Sequence, residues 1–424
     1  MFSLNMKGLV GFIATLLFIL IFIIPQAYFW IKLPFLGVVL LYVLVNVSSG
    51  RFEIYSYDSL KYYLLIATIT VTWALIGAVN GNHIMALYDG IRLFVIYNLI
   101  FVLLIVYLTN IQIHRYVLLV TSIGSLGIAL IAFYTIADLV LGLNSIPFSV
   151  RSEMYMQVGL HSGHTQLNNI NIGMYAFLLP FLISYTLLEV DKKPKYIYLT
   201  LFISTVALVL GSRRAIIYII FLIPLLCLFV DSFITSKLRF VLLKRVIKIY
   251  VYSAIIISIG LSLVIYHDLV DINGFLDRLL DVLATDENSP RQLQFTALMQ
   301  GFYDNPIIGT GFGGIASVTR SETPWNYELI YIKLLFHSGL LGTVALVSII
   351  GFYTLKAIKL CKLDRSNYSI NVSLIIGFLS ILIATLTNPY LGSFDFLLAL
   401  AVPPLVIGLV KRDQHRTRCS VTYR

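Results

Sequence analysis

The sequence predicts an all-α polytopic membrane protein of about 12 transmembrane helices, with a large periplasmic loop that contains short helices. Three observations carry that expectation. Of the 424 residues, 59% are hydrophobic and only 12% are charged, about half the charged share of a soluble domain. The apolar runs approach the roughly 20 residues that a helix needs to cross a hydrocarbon layer ~30 Å thick. They are continuous rather than alternating, which excludes a closed barrel of short strands.

The runs lie near 8–24, 33–49, 62–79, 91–109, 116–142, 168–188, 195–211, 214–231, 248–268, 327–355, 370–388 and 394–410. The first lacks a small-residue cleavage site and reads as a span, not a removable signal. Most connections are short, so residues 1–424 read as a single integral membrane domain. An even number of spans places both ends on one side, and charge chooses the side. The segments on the side of the termini hold 21 of the 30 Lys and Arg and net +14, while the opposite side nets −4. Basic residues are retained in the cytoplasm, so both termini are expected there, in a bacterial inner membrane. The net charge of +10 is thus an orientation signal and needs no nucleic-acid partner. Cys227 falls in a span and Cys361 and Cys419 on the reducing side, so no disulfide framework or metal-ligand spacing is expected.

Two segments on the outer side break the pattern of short connections: 143–167, and 269–326 between spans nine and ten. Long loops held by a scaffold are where function concentrates. A third feature of that side is the turn carrying Arg213 and Arg214 between two apolar runs. Two guanidiniums there oppose the positive-inside rule, and Arg is shaped to grip phosphate in two places. The pair therefore asks for an anionic partner; its plain alternative is snorkelling to lipid headgroups.

The longer loop opens acidic, with Asp268, Asp271, Asp277, Asp281, Asp286 and Glu287, which reads as a solvated surface before a divalent-ion site. Ser289-Pro290 then starts a helix over 291–303 with Leu293, Ala297, Leu298 and Phe302 on one face, since Pro is favoured at an early helix position. Asn305-Pro306 stops it. The following 309-GTGFGG-314 needs glycine's freedom at positive φ or a close backbone approach. Taken alone it reads as a flexible turn. With no strand before it, it is no nucleotide fingerprint.

The run Arg291, Asn305-Pro306-Ile307-Ile308-Gly309-Thr310-Gly311-Phe312-Gly313, Asn326, Leu329 and 339-GLLG-342 resembles the C-terminal motif region of the O-antigen ligase/polymerase superfamily. Ser212-Arg213 before an apolar span, and Arg151 followed by 167-LNNINIGMYAFLLP-180, resemble two further motifs of that family. The resemblance implies a multi-span glycosyltransferase acting at the outer leaflet without cofactor, metal or nucleotide sugar. Its donor is a glycan on undecaprenyl diphosphate. Polymerases pass the glycan to the next lipid-linked repeat unit; ligases pass it to lipid A core. The expected partners are that oligosaccharide, membrane lipids, a chain-length regulator and a flippase. One departure bears on the choice. The ligases carry a His directly before the Asn that starts the span after the long loop, and here that position is Trp325. An indole donates but cannot take a proton, which favours a Wzy-type polymerase of O-antigen or a similar polysaccharide over the ligase.

Cleaving a sugar from diphosphate loads negative charge on the leaving group, and fixed cations aimed at that charge lower the barrier. Arg213, Arg214 and Arg291 are the expected diphosphate-gripping groups, with Arg151 and Arg320 as weaker candidates. Arg291 reads otherwise as an exposed first-turn residue. Glu328, at the mouth of a span, is the expected base for the acceptor hydroxyl; its alternative is an ion pair with a nearby Arg. His161 and His164 are further bases, and Asn326, Gly311 and Gly313 are expected to line the glycan site. Lys333 and Asp138 read as groups that snorkel to the outer end of their spans, and His337 as a neighbour of Lys333 on one helix face. The rival from another class is a flippase for the same lipid-linked sugar. It would gather charge near the midplane in repeated halves with broken helices. No internal repeat is evident, and Pro180, Pro224, Pro389, Pro403 and Pro404 are the candidate breaks.

Overall fold

A computed structural model describes residues 6–422 except 112, 162–163, 190–193, 212, 238, 252–289 and 320–322. The apolar runs are helical because lipid offers no partner for backbone N–H and C=O groups, and a helix satisfies them within one segment. In chain order the helices are α1 (Met6–Ile23), α2 (Phe29–Ser48), α3 (Asp58–Val79) and α4 (Ile84–Ile91), which runs through a wide π turn at Arg92–Ile96 into α5 (Tyr97–Asn110). Next come α6 (Val117–Val140), the short α7 (Phe148–Glu153), α8 (Tyr175–Leu188), α9 (Lys195–Leu210) and α10 (Arg214–Thr235). After the undescribed stretch follow α11 (Pro290–Asp304), α12 (Ile330–Cys361), α13 (Tyr368–Ala384), the one-turn α14 (Phe394–Leu397) and α15 (Val402–Thr422).

Among the described residues nine helical segments are long and apolar enough to cross a membrane, and α9 and α13 are shorter apolar helices. Each coincides with an expected span. The expected ninth span, near 248–268, lies almost wholly outside the described residues, as do the acidic run and Arg320. Pro180 and Pro224 sit inside unbroken α8 and α10. The final span breaks, from α14 through a 3-10 turn at Leu398–Ala401 into α15.

Burial sorts the helices. The segments Ile170–Leu188 and Phe394–Arg418 are buried over 83% and 89% of their spanning windows, whereas α1 is buried over only 22%. Together with α13, whose Val372, Ile375, Ile376 and Phe378 are fully enclosed, they form the centre, and the other helices surround it. Close approach depends on small residues, because helices in lipid associate by packing rather than by escaping water. A side chain at Gly377 would strike Phe177.

Polar contacts divide the bundle into two ends. At the basic end Asp58 of α3 takes Lys356 of α12 at 2.6 Å and Lys411 of α15 at 2.7 Å. Asp231 of α10 takes Arg239 and the Tyr368 hydroxyl, and Arg412 donates to the carbonyls of Thr109 and Ile111. The other end, here the loop end, gathers 24–28, 80–83, 141–161, 164–174, 211, 213, 305–319, 323–329 and 385–393. The segment expected as a loop over 143–167 contains α7 and an antiparallel hairpin, β1 (Gln157–His161) with β2 (His164–Asn168).

Candidate functional site

The glycine-rich segment is the anchor of the loop end. Gly309 and Gly311 have φ near +78° and +77°, which L side chains adopt only with strain. A Cβ at Gly309 would lie 2.5 Å from the Gly339 nitrogen, and one at Gly311 would collide with the backbone of Gly77. The segment is thus pressed backbone to backbone between α3 and α12. Trp73 Nε1 donates to the Ile308 carbonyl at 2.7 Å, and Phe312 N donates to the Trp73 carbonyl. Asn82 Nδ2 donates to the carbonyls of Thr310 and Phe312 at 3.0 and 2.8 Å. On the other side α12 is interrupted at Gly339, and the freed amides of Leu340 and Leu341 donate to the carbonyls of Pro306 and Ile307. The close approach expected at Gly311 is to the protein's own chain, and Gly313 faces Ala86 in the same way at 2.7 Å. Both glycines, expected to line the glycan site, form part of this clamp.

The clamp fixes α11. Its buried face is Gln294, Ala297 and Leu298, while Leu293, expected inside, is 45% exposed. Gln294 replaces it because its Oε1 accepts from the Glu328 amide at 3.1 Å. That contact holds Glu328 opposite Arg291, whose Nε donates to Glu328 Oε2 at 3.0 Å. The structure therefore gives Glu328 the ion-pair role weighed against that of a base. Beside it, Trp325 stacks on His83 at 4.9 Å and donates from Nε1 to Asp89 at 3.1 Å. The indole is structural here, binding the α11–α12 connection to α4. Tyr327 is buried with its hydroxyl accepting from Ala316 N, and burial pushes the phenol pKa up. Asn326 is exposed in the turn closed by its N–H to the Thr323 carbonyl. His337 is fully enclosed and donates from Nε2 to the Gly314 carbonyl at 3.1 Å. Lys333 lies over the Tyr327 ring at 6.0 Å.

A second cluster surrounds the arginine turn. Arg213 precedes α10 and acts electrostatically on Tyr390, whose phenol burial raises and Arg213 partly lowers. A side chain at Gly211 would meet Ile172, and one at Gly173 would meet Tyr390, each at 2.7 Å. The 3-10 turn Ile170–Met174 is thereby packed between the arginine turn and Tyr390. Asn169 caps this turn and Asn171 lies in it, and neither is among the expected site residues. Both are fully buried, and among the described residues neither amide has a partner for its nitrogen or its oxygen. Orphaned buried amides cost on the order of 1–3 kcal/mol each, so groups of this kind mark places built to receive a polar ligand or water. The Asn-rich entry into the span was the available signal.

Arg151 is committed elsewhere. Its Nη2 donates at 2.6 Å to Asp138, which is enclosed and also accepts from the Ser145 amide and hydroxyl. Asp138 does not snorkel; it ties α7 to α6 through Arg151, a candidate ligand for the diphosphate. Arg214 opens α10, and His161 faces His164 as the last pair of the hairpin; their side chains lie outside the described set. The Arg213 cluster and the Arg291–Glu328 pair both belong to the loop end. They flank one feature, the end of α13, where Tyr331 of α12 donates to the Leu382 carbonyl eight residues before Tyr390.

At the basic end, acceptor atoms of His114, Asp364 and Asp413 converge within 4.8 Å. The amides of Asn367 and Asn371 and the guanidinium of Arg412 already use those atoms, so the group is a saturated network. Burial lowers the His114 pKa. Compared with known proteins, the chain matches no family model, and no curated protein is significantly similar to it.

Proposed function

We propose that the protein is a membrane glycosyltransferase that polymerises undecaprenyl-diphosphate-linked repeat units into O-antigen or a similar polysaccharide at the periplasmic face of a bacterial inner membrane. The observation that carries the reading is the Arg291–Glu328 pair, held at the loop end by the glycine clamp that contains the family-like motif. The pair is half exposed, with side-chain exposures of 55% and 33%, and a pair of that kind is worth only about 0–1 kcal/mol. A diphosphate can therefore displace Glu328 from Arg291 at small cost. The exchange puts the guanidinium on the leaving group and places the Glu328 carboxylate next to it as the acceptor for the proton of the incoming sugar hydroxyl. One step thus assigns a cation and a base, and both stay neutralised until donor binds. Arg213, beside Tyr390 and the asparagine turn, supplies the second cation in this reading.

The test is a gene deletion complemented with Arg291→Ala or Arg213→Ala. Long banded polysaccharide from both variants at normal protein levels would refute the arginine mechanism. Single repeats on lipid core in the deletion strain indicate a polymerase, and bare core with accumulated polymer indicates the ligase. A flippase remains the second reading, and one observation favours it: Lys32 and Asp395 form a buried pair at 2.9 Å inside two spans, where charge is functional by default. Lipid-linked repeats accumulating on the cytoplasmic side of the deletion strain would select it.

A further inference from the structure

A cavity lies between α1 and α6, lined by residues of both. It is a chamber of ≈ 980 Å³, at the top of the ~300–1,000 Å³ range of ligand sites. Its shape follows from how α1 meets α6. At the loop end the two helices touch closely: a side chain at Gly124 would lie 2.9 Å from Phe22, and one at Gly127 would collide with Ile23. Toward the basic end they part. Gly11 lines the chamber and has nothing within 4 Å of the place its side chain would take. The result is a wedge whose walls are apolar, from Phe12, Phe18, Val120 and Leu405, and whose depth reaches Asp395.

The mouth differs in kind. Lys7, Arg51 and Arg416 border it with one carboxylate, Glu53. Lys7, Arg51 and Arg416 are exposed, and Glu53 and Arg416 both act on the Tyr55 phenol between them. Lys7 and Arg51 have no ion-pair partner among the described residues. This contrasts with Lys356, Lys411 and Arg412, which are consumed by Asp58 and Asp413. A hydrocarbon-walled wedge with a net positive rim at headgroup level complements one class of molecule, a lipid with an anionic headgroup. Basic pockets between spans select such lipids over zwitterionic ones.

We infer that the wedge between α1 and α6 is a binding site for one anionic phospholipid of the leaflet facing the basic end, its headgroup on Lys7, Arg51 and Arg416 and its tail along α1. The site is independent of the glycosyl-transfer reading. It opens at the opposite end, and its test does not measure activity.

The full-length protein is reconstituted in nanodiscs holding equal amounts of phosphatidylglycerol and phosphatidylcholine with identical chains, then released for native mass spectrometry. Each basic group near a lipid surface contributes roughly fivefold. Three cations less one carboxylate therefore predict one retained phosphatidylglycerol per chain, with a preference on the order of 25-fold over phosphatidylcholine. The variant Lys7→Gln/Arg51→Gln/Arg416→Gln changes only exposed groups and is expected to fold normally and lose the preference. Gly11→Phe with Thr15→Phe fills the wedge and is expected to lose the retained lipid of either kind. Equal retention of both lipids by wild type overturns the inference. So does an unchanged preference in the neutral variant, or full retention in the filled one, which would mean that the lipid sits only on the outer surface.

Discussion

At the basic end carboxylates are shared and enclosed: Asp58 serves two lysines and Asp231 an arginine and a tyrosine. At the loop end the glycine clamp is held largely backbone to backbone, and Arg291 is paired, among the described residues, with half-exposed Glu328. Charges at the first end are spent on holding spans together. At the second the enclosed pairs Asp138–Arg151 and Lys32–Asp395 do the same, and the Arg291–Glu328 pair differs in being half exposed. The difference separates residues whose loss should unfold the protein from residues whose loss should silence it.

The comparison breaks most visibly if the clamp is not structural. Gly77→Leu would drive a side chain into the Phe312 carbonyl, a backbone that cannot step aside, and overpacking of this kind costs about 1–3 kcal/mol or more. Fluorescence-detected size exclusion after heating should show a clear loss of monodisperse protein, whereas Gly351→Leu, at a glycine with open space around it, should behave as wild type. Arg291→Ala is expected to remove one transition-state cation, about 3 kcal/mol or roughly 100-fold in polymerisation rate, with thermal stability within about 1 kcal/mol of wild type. A large fall in melting temperature with that variant would turn the pair into a structural one. Asp58→Asn should do the reverse. It orphans Lys356 and Lys411, and because both are about one-third exposed the cost is nearer 1–2 kcal/mol than the 3–5 of a fully buried pair; polymer length should not change.

The smallest expected effect is on pH. Burial depresses the folded pKa of His114, so the unfolded chain binds its proton first. The stability this contributes is present above the unfolded value of ~6.5 and is lost as pH falls through the folded value. His114→Gln should flatten that part of a melting-temperature profile between pH 7 and 5, and an unaltered slope would show that His114 does not control it.

The spans were legible because a continuous apolar run has one stable form in lipid, and α11 was legible because Ser289-Pro290 and Asn305-Pro306 bracket it. The facing of α11 was not. Hydropathy placed Leu293 inward, but the buried position is Gln294, whose carbonyl oxygen accepts from the Glu328 amide, a partner 34 positions away that hydropathy does not reveal. Pairs distant in sequence were equally hidden: Lys32 and Asp395 are 363 positions apart, and neither run betrays the other. The hairpin at 157–168 was missed because its two short strands sit in a segment whose polarity reads as a loop. The glycines were rightly singled out, yet spacing alone could not say whether a ligand or Gly77 approaches them.

The break at Gly339 has a mechanical consequence. Because Leu340 and Leu341 find their acceptors on the strip that follows α11, the first turns of α12 and the whole of α11 are coupled like two arms on one pivot. A tilt of α11 would therefore carry the first turns of α12 with it, where Tyr331 grips the end of α13 through the Leu382 carbonyl.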